Sequence, residues 1–309
     1  MSEEKISRKA MSENMLTFRC EHRHSAITHP RCYLRHLMSE NGLEEENVLP
    51  KVLVFDIETS PLSAYIWQHS VWGANVSEDK VISEWFMLTW SAKWLFSNEV
   101  MSDRLTGKEA KKENDSRIVS GLWNLLDEAD IIIAHNGDRF DVPNMNTRFI
   151  VNNLPPTSPY QTIDTLRVAR KQFGFTHNNL NALARVFGFD VKLDTDFDLW
   201  KRCIDGDDEA LAYMEGYNKG DVTLLENVYL KIRPWIKSHP NLGLYVEDES
   251  SRCSACASTE LTWLTDKYWY TQVSKFPIFK CESCGGYGRA RKSVLTKEVK
   301  ENLVVSLAR

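Results

Sequence analysis

The stretch Val52-Leu-Val-Phe-Asp56-Ile-Glu58-Thr-Ser-Pro61 constrains this chain more than any other. Val52 to Phe55 and Ile57 read as a buried central strand, and Pro61 marks its end. Residues two apart on a strand point the same way, so Asp56 and Glu58 share one face. Two carboxylates side by side at the end of a buried strand repel each other and resist desolvation unless a cation lies between them. An ordinary strand end with solvated acids is the competing reading. Two further acids in suitable settings weigh against it.

The first of these follows a second apolar run, Ile131-Ile-Ile-Ala-His135-Asn136-Gly137, read as a buried strand ending in a polar turn. A helix with Pro143 in its first turn should follow, which places Asp141 near the helix N-terminus and beside the strand end that carries His135. Asp138 is the nearest rival, as a cap or a solvated residue. The second is Asp221, on a last core helix over roughly 208–235. Tyr217 lies four residues before it and shares its face, and Leu224, Leu225, Val228 and Ile232 continue an apolar stripe close to that side. An acid beside a core-facing stripe is costly without a partner, and a cation held jointly with Asp56 would supply one.

Between these motifs, Trp85 to Phe96 reads as a long strand, with a short partner strand around Val100. Residues 114–128 read as a helix that places Ile118, Leu122, Leu125 and Leu126 on one face. The segment from Gln161 to Thr165 reads as a short strand, with Asp164 as a helix cap. Two helices follow, over 165–172 and 179–187, broken by Gly174 and closed by Gly188. An aromatic-rich loop (Tyr65, Trp67, Trp72) and an acidic, solvated loop (Asp190, Asp194, Asp196, Asp198) complete this region.

At 309 residues the chain has room for one domain of roughly 150–200 residues with smaller attachments. The boundaries drawn are an N-terminal extension over 1–49, the main domain over 50–236, a small module over 251–293 and a tail over 294–309. No apolar run approaches the roughly 20 residues of a membrane span, and the charged start has no apolar signal core. The expectation is a soluble cytoplasmic protein with no membrane partner. The net charge of −5 divides into −10 over residues 1–250 and +5 over 251–309, so the C-terminal piece has the sign that suits a polyanion.

Four of the seven cysteines form two pairs, Cys253-Ser-Ala-Cys256 and Cys281-Glu-Ser-Cys284, separated by 24 residues with strand-like segments at Leu261–Leu264, Tyr268–Val273 and Phe276–Phe279. Two such knuckles supply four thiolates for one tetrahedral zinc, and Gly285-Gly286 permits the tight turn. The module resembles a zinc ribbon. Around it Tyr268, Trp269, Tyr270, Lys275, Lys280, Arg289, Arg291 and Lys292 combine ring faces with cations, as a clamp for single strands would. A purely structural ribbon or a protein-docking knob is the other reading. A second Cys/His group lies between Cys20 and His36. It is either a basic, His-rich surface segment with incidental thiols or a second zinc module using Cys20, His24, His29 and Cys32.

Asp56-Ile-Glu58, His135-Asn136-Gly-Asp-Arg-Phe140-Asp141 and Tyr217-Asn-Lys-Gly-Asp221 together resemble the three motifs of the DEDD 3′–5′ exonucleases, in the family's order and over about residues 50–235. The tyrosine four residues before the last acid resembles the tyrosine branch of that family. With its C-terminal module, the chain is similar to phage and prokaryotic exonuclease-like proteins that end in a zinc ribbon. The resemblance implies a ribonuclease-H-like α/β fold, a mixed five-stranded sheet flanked by helices, with the Asp56 strand central and the Trp-bearing strand antiparallel to it. It implies that Asp56, Glu58, Asp141 and Asp221 bind two Mg²⁺ or Mn²⁺ ions about 3.5–4 Å apart, that Tyr217 holds the attacking water, and that His135 and Asn136 border the substrate cleft. The expected activity is 3′–5′ hydrolysis of single-stranded nucleic acid. DNA is favoured over RNA, with a silent nucleic-acid-binding adaptor as the alternative. The expected substrate contacts outside the acid cluster are His135, Asn136, Trp269, Lys280, Arg289 and Arg291.

Overall fold

A computed structural model describes residues 49–67, 76–190, 195–246, 249–305 and 307. The Cys20–Cys32 group, Trp72 and Asp194 lie outside the described residues. The chain divides into two compact units, residues 1–49 with 245–247, and residues 50–244 with 248–309. The first lies almost wholly outside the described residues. The second holds both of the larger sheets and the helices that flank them. Among the described residues, no helix is long and apolar enough to cross a membrane.

The apolar run around Asp56 forms β1 (Val52–Thr59). A two-residue strand, β2 (Ser63–Ala64), pairs with β3 (Val81–Ser83), so a small hairpin ladder stands where the sequence suggested only an aromatic loop. Strand β4 (Met87–Trp94) and then β5 (Met101–Arg104) follow. A short helix α1 (Gly107–Ala110) leads to α2 (Ser116–Glu128), then β6 (Ile131–Ala134), α3 (Asp141–Val151), β7 (Gln161–Asp164), α4 (Thr165–Gln172), α5 (Leu180–Phe187), α6 (Phe197–Ile204) and the 25-residue α7 (Asp208–Ile232). The sheet runs β5-β4-β1-β6-β7. β1 is central, antiparallel to β4 and parallel to β6. This is the mixed five-stranded, helix-flanked α/β architecture expected from the sequence.

Burial explains why β1 is apolar almost throughout. A strand covered on both faces has no solvent side to leave polar. Leu53, Phe55 and Ile57 share a core with Ile118, Leu122 and Leu126 of α2 and Met145 and Phe149 of α3. The opposite face carries Val52, Val54, Asp56 and Glu58, and α7 covers it. Trp90 of β4 is core, with its indole N–H donated to the Ile118 carbonyl at 2.7 Å. Two buried ionic nodes pin the helices to the sheet. Asp115 accepts from the Met87 amide and from Arg148 of α3 at 2.6 and 2.7 Å, and Lys93 of β4 pairs with Glu226 of α7.

The C-terminal residues form a second sheet in the order β10-β9-β8, all antiparallel: β8 (Leu261–Tyr270), β9 (Lys275–Cys281) and β10 (Tyr287–Arg289). The two segments read as separate strands at Leu261–Leu264 and Tyr268–Val273 are one strand. It stays continuous because the extra residues between Trp263 and Tyr268 are taken up as a bulge in the register. β10 had no sequence signal of its own, being three residues long. A short helix, α8 (Lys297–Glu301), lies in the tail.

Candidate active site and thiolate cluster

Three elements deliver the acids. β1 carries Asp56 and Glu58 on one face, and α7 brings Asp221 against them. One carboxylate oxygen from each of the three lies within 4.8 Å of the others. Asp141 arrives from the N-terminus of α3 and is 1% exposed. It accepts hydrogen bonds from the Ile57 amide and from its own, while its Oδ1 has no partner.

The turn that presents Asp141 is built from the inside. Asn136 adopts φ +73°, a left-handed conformation that asparagine tolerates better than most residues. At Gly137 a Cβ would meet the Ala134 side chain at 2.5 Å, so only glycine fits. Asp164 holds the turn, accepting from the amides of Asn136 at 3.0 Å and Asp138 at 3.3 Å while capping α4 through the Arg167 amide. Asp138 points elsewhere, to Thr162 and Arg167.

Electrostatics mark the acids as a set. Burial, then the charges of Asp141, Glu58 and Asp221, hold Asp56 well above the usual carboxylate range, opposed by a hydrogen bond from Asn218. Burial and the charges of Asp221 and Asp141 push Glu58 up to about 8. Burial raises Asp141 to about 7 and Asp221 to about 6. Four carboxylates within electrostatic reach of one another, one with an orphaned buried oxygen, are a poor arrangement alone and a good one around hard cations. The donor set fits Mg²⁺ or Mn²⁺.

Tyr217, one turn before Asp221, donates its hydroxyl to that carboxylate, and burial with the neighbouring charges holds the phenol above its ordinary range. A cavity of about 600 Å³ opens at Tyr217 and Asp221, bordered by Gly216, Gly220, Phe189 and Asp190. His135 is not free to face it. Its Nδ1 meets the Thr165 hydroxyl and its Nε2 the Asn178 carbonyl, both at 2.9 Å, and burial depresses its pKa. Asn136 serves the turn through its backbone. Asp196, read as solvated, caps α6 through the Leu199 amide.

The side chain that sequence reasoning missed is Asn218. It is fully buried and donates Nδ2 to Asp56 Oδ2 at 2.6 Å. A signal was present, because Asn218 occupies a polar position in the buried stripe Met214, Asn218, Val222, Leu225 of α7.

Cys253, Cys256, Cys281 and Cys284 are brought together, with Sγ–Sγ distances of 3.6 Å for Cys253–Cys284 and for Cys256–Cys281. Four thiolates about 2.3 Å from a tetrahedral zinc stand roughly 3.8 Å apart, so the set fits that ion, whereas a disulfide requires about 2.05 Å. The hydrogen bond between Cys253 and Cys256 pulls the Cys256 thiol down and pushes the Cys253 thiol up, as expected of two close sulfurs sharing one proton. The two knuckles match. The amides of Ala257 and Gly285 return to the carbonyls of Cys253 and Cys281, and both residues are left-handed, at φ +57° and +75°. Trp269 and Arg289 are exposed on β8 and β10, Lys280 is half-exposed on β9, and Arg291 is exposed just beyond β10.

A family model for the RNase_H superfamily matches residues 53–233. The chain belongs to the ribonuclease H superfamily. Among solved structures it is similar to the family B DNA polymerase from the hyperthermophilic archaeon Pyrobaculum calidifontis, with 15% identity and a TM-score of 0.44. That match covers 63% of this chain and 25% of the polymerase, so the chain spans about a quarter of that protein's length. Comparison with curated proteins finds no match.

Proposed function

We propose that this protein is a 3′–5′ exonuclease acting on single-stranded nucleic acid, DNA in preference to RNA. The observation that supports it most is the convergence of Asp56, Glu58, Asp141 and Asp221 from three elements of a ribonuclease-H-like fold. In this reading the four acids hold two Mg²⁺ or Mn²⁺ ions, which when bound neutralise the phosphodiester and acidify water. Tyr217 orients the attacking water. Its raised pKa keeps the phenol neutral, so it acts as a hydrogen-bonding group and not as a base. Gly216 and Gly220 leave the wall of the adjoining cavity without side chains beside Asp221, giving the terminal nucleotide room to approach. The new bond joins water oxygen to phosphorus, the bond to the 3′-oxygen breaks, and that oxygen takes up a proton. The products are a nucleoside 5′-monophosphate and a strand one residue shorter. The four cysteines hold one structural zinc.

The test is digestion of 5′-labelled single-stranded DNA, duplex DNA and single-stranded RNA with Mg²⁺ or Mn²⁺. A descending ladder is expected with the native chain. Asp56→Ala should abolish it, and Tyr217→Phe should slow it by about 10²-fold or more, the scale of a lost positioning group. Discrete internal cuts would make the protein an endonuclease, and strands bound but left intact would make it a binding protein.

A further inference from the structure

The C-terminal sheet separates its ring-bearing and basic residues onto two faces, which the sequence could not do. Cross-strand partners in an antiparallel sheet lie on the same face. The register pairs Trp263 with Phe279, Tyr268 with Pro277 and Tyr270 with Lys275, which places these with Cys281 on one side. That side is occupied internally in part, although Tyr270 at its edge stays 64% exposed. Phe279 packs with the cysteines, its ring fills the space a Cβ on Gly288 would need, and the Lys275 ammonium lies 3.7 Å from the centre of the Tyr268 ring.

The register places Trp269 and Phe276, Lys280 and Tyr287, and Ile278 and Arg289 on the other side. This side stays uncovered: Trp269 is 57% and Tyr287 69% exposed, and the Arg289 guanidinium carbon lies 4.2 Å from the centre of the Phe276 ring. Beside it, Glu282 lies 3.5 Å from Lys280. Residues 251–309 carry a net +5 in a chain that is otherwise acidic.

We infer that this second face is a docking platform for single-stranded nucleic acid, with bases stacked on Trp269 and Tyr287 and phosphates met by Lys280 and Arg289. Ring faces spaced among cations on an open sheet suit a strand that offers bases and phosphates alternately, and such stacking tolerates any sequence. The inference deepens the exonuclease reading and rests on it for the strand's purpose. It assigns Tyr268, Tyr270 and Lys275, which compete for the same role in the sequence, to the integrity of the sheet.

The experiment is fluorescence anisotropy of a 5′-labelled 20-mer of thymidylate against the full chain carrying Asp56→Asn, so that the strand is not consumed. Adding Trp269→Ala should weaken binding about 5- to 100-fold. Tyr270→Ala, an equally exposed ring on the opposite face, should change it less than 2-fold. The double variant Lys280→Ala/Arg289→Ala should reduce the slope of log K against log salt by about 1.4, the share of two single-strand phosphate contacts. Unchanged zinc content checks that each variant keeps the ribbon. Equal loss from Trp269→Ala and Tyr270→Ala, or no loss from either, overturns the platform. The unsubstituted chain separates the two readings. If it degrades the strand while the platform variants bind normally, only the platform falls; if it binds through the platform without degrading, only the exonuclease falls.

Discussion

Asn218 shows how the acid cluster is tuned from within. Its amide reaches Asp56 on β1 from α7, and the bond favours the ionised carboxylate against burial and three neighbouring acids. If Asp56 is a metal ligand as proposed, a group of this kind, bonded to the ligand but not to the metal, sets affinity more than rate. Asn218→Ala should therefore raise the Mn²⁺ concentration for half-maximal activity about 10- to 100-fold, with most of the rate recovered at saturating metal. A metal titration of activity checks this, and a rate that stays low at saturation would place Asn218 in the chemistry itself. The acids were legible in the sequence because each is costly where it stands: two on a buried strand, one at a helix start, one beside an apolar stripe. Asn218 was not, because an uncharged amide on a helix raises no such objection. Asp115 illustrates the converse. It is as buried as Asp141, yet its oxygens are taken up by Arg148, Asn152 and the Met87 amide, so it needs no cation.

The helix α7 and the C-terminal sheet carry the next level. The positions of α2, α3, α4, α5 and α7 and the cap at Gly188 were readable from periodicity and punctuation, whereas the central place of β1 followed from the family resemblance and α6 was not read at all, its start lying in the acidic loop. The bulge in β8 and the existence of β10 were not readable either, because both are consequences of pairing with β9 and leave no local pattern. That small sheet has a thin interior, with Ala255 and Phe279 as the buried apolar side chains beside Cys253 and Cys281. Such a core is far too small to fold the module alone, whereas structural zinc in comparable modules contributes about 10–16 kcal/mol at neutral pH. Cys281→Ser should remove one zinc per chain and unfold the sheet, seen as a red shift in tryptophan emission. The five-stranded unit should keep its own cooperative melt. Retention of zinc, or a single melt that collapses as a whole, would show that the thiolates do something other than hold this module.

Across the molecule, the acid cluster ties stability to pH and, in the reading proposed above, to divalent cations. Asp221, Asp141 and Glu58 move from ordinary values of 3.8, 3.8 and 4.5 to about 6, 7 and 8. Between the ordinary and the raised values the folded chain binds more protons than the unfolded one, so stability is present at the low end of that range and is lost as pH rises through it. His135 and His239, both depressed by burial, act with the opposite sign, but their contribution is complete once the pH passes the ordinary histidine value of 6.5. The interval from pH 6.5 to 8.5 therefore isolates the acids. One proton linked over that interval is about 2–2.7 kcal/mol, or roughly 4–10 °C in Tm for a domain of this size. Without added divalent metal, and with zinc retained, the Tm should fall by that amount between pH 6.5 and 8.5. Mn²⁺ at millimolar concentration should restore it, and should raise the Tm more at pH 8.5 than at 6.5, because it binds the ionised carboxylates. Asp56→Asn should remove one of the repelling charges and raise the metal-free Tm at pH 8.5 while weakening the response to Mn²⁺. A Tm that does not change with pH, or a Mn²⁺ response that survives the substitution in full, would mean that the four acids do not act together as one cation site.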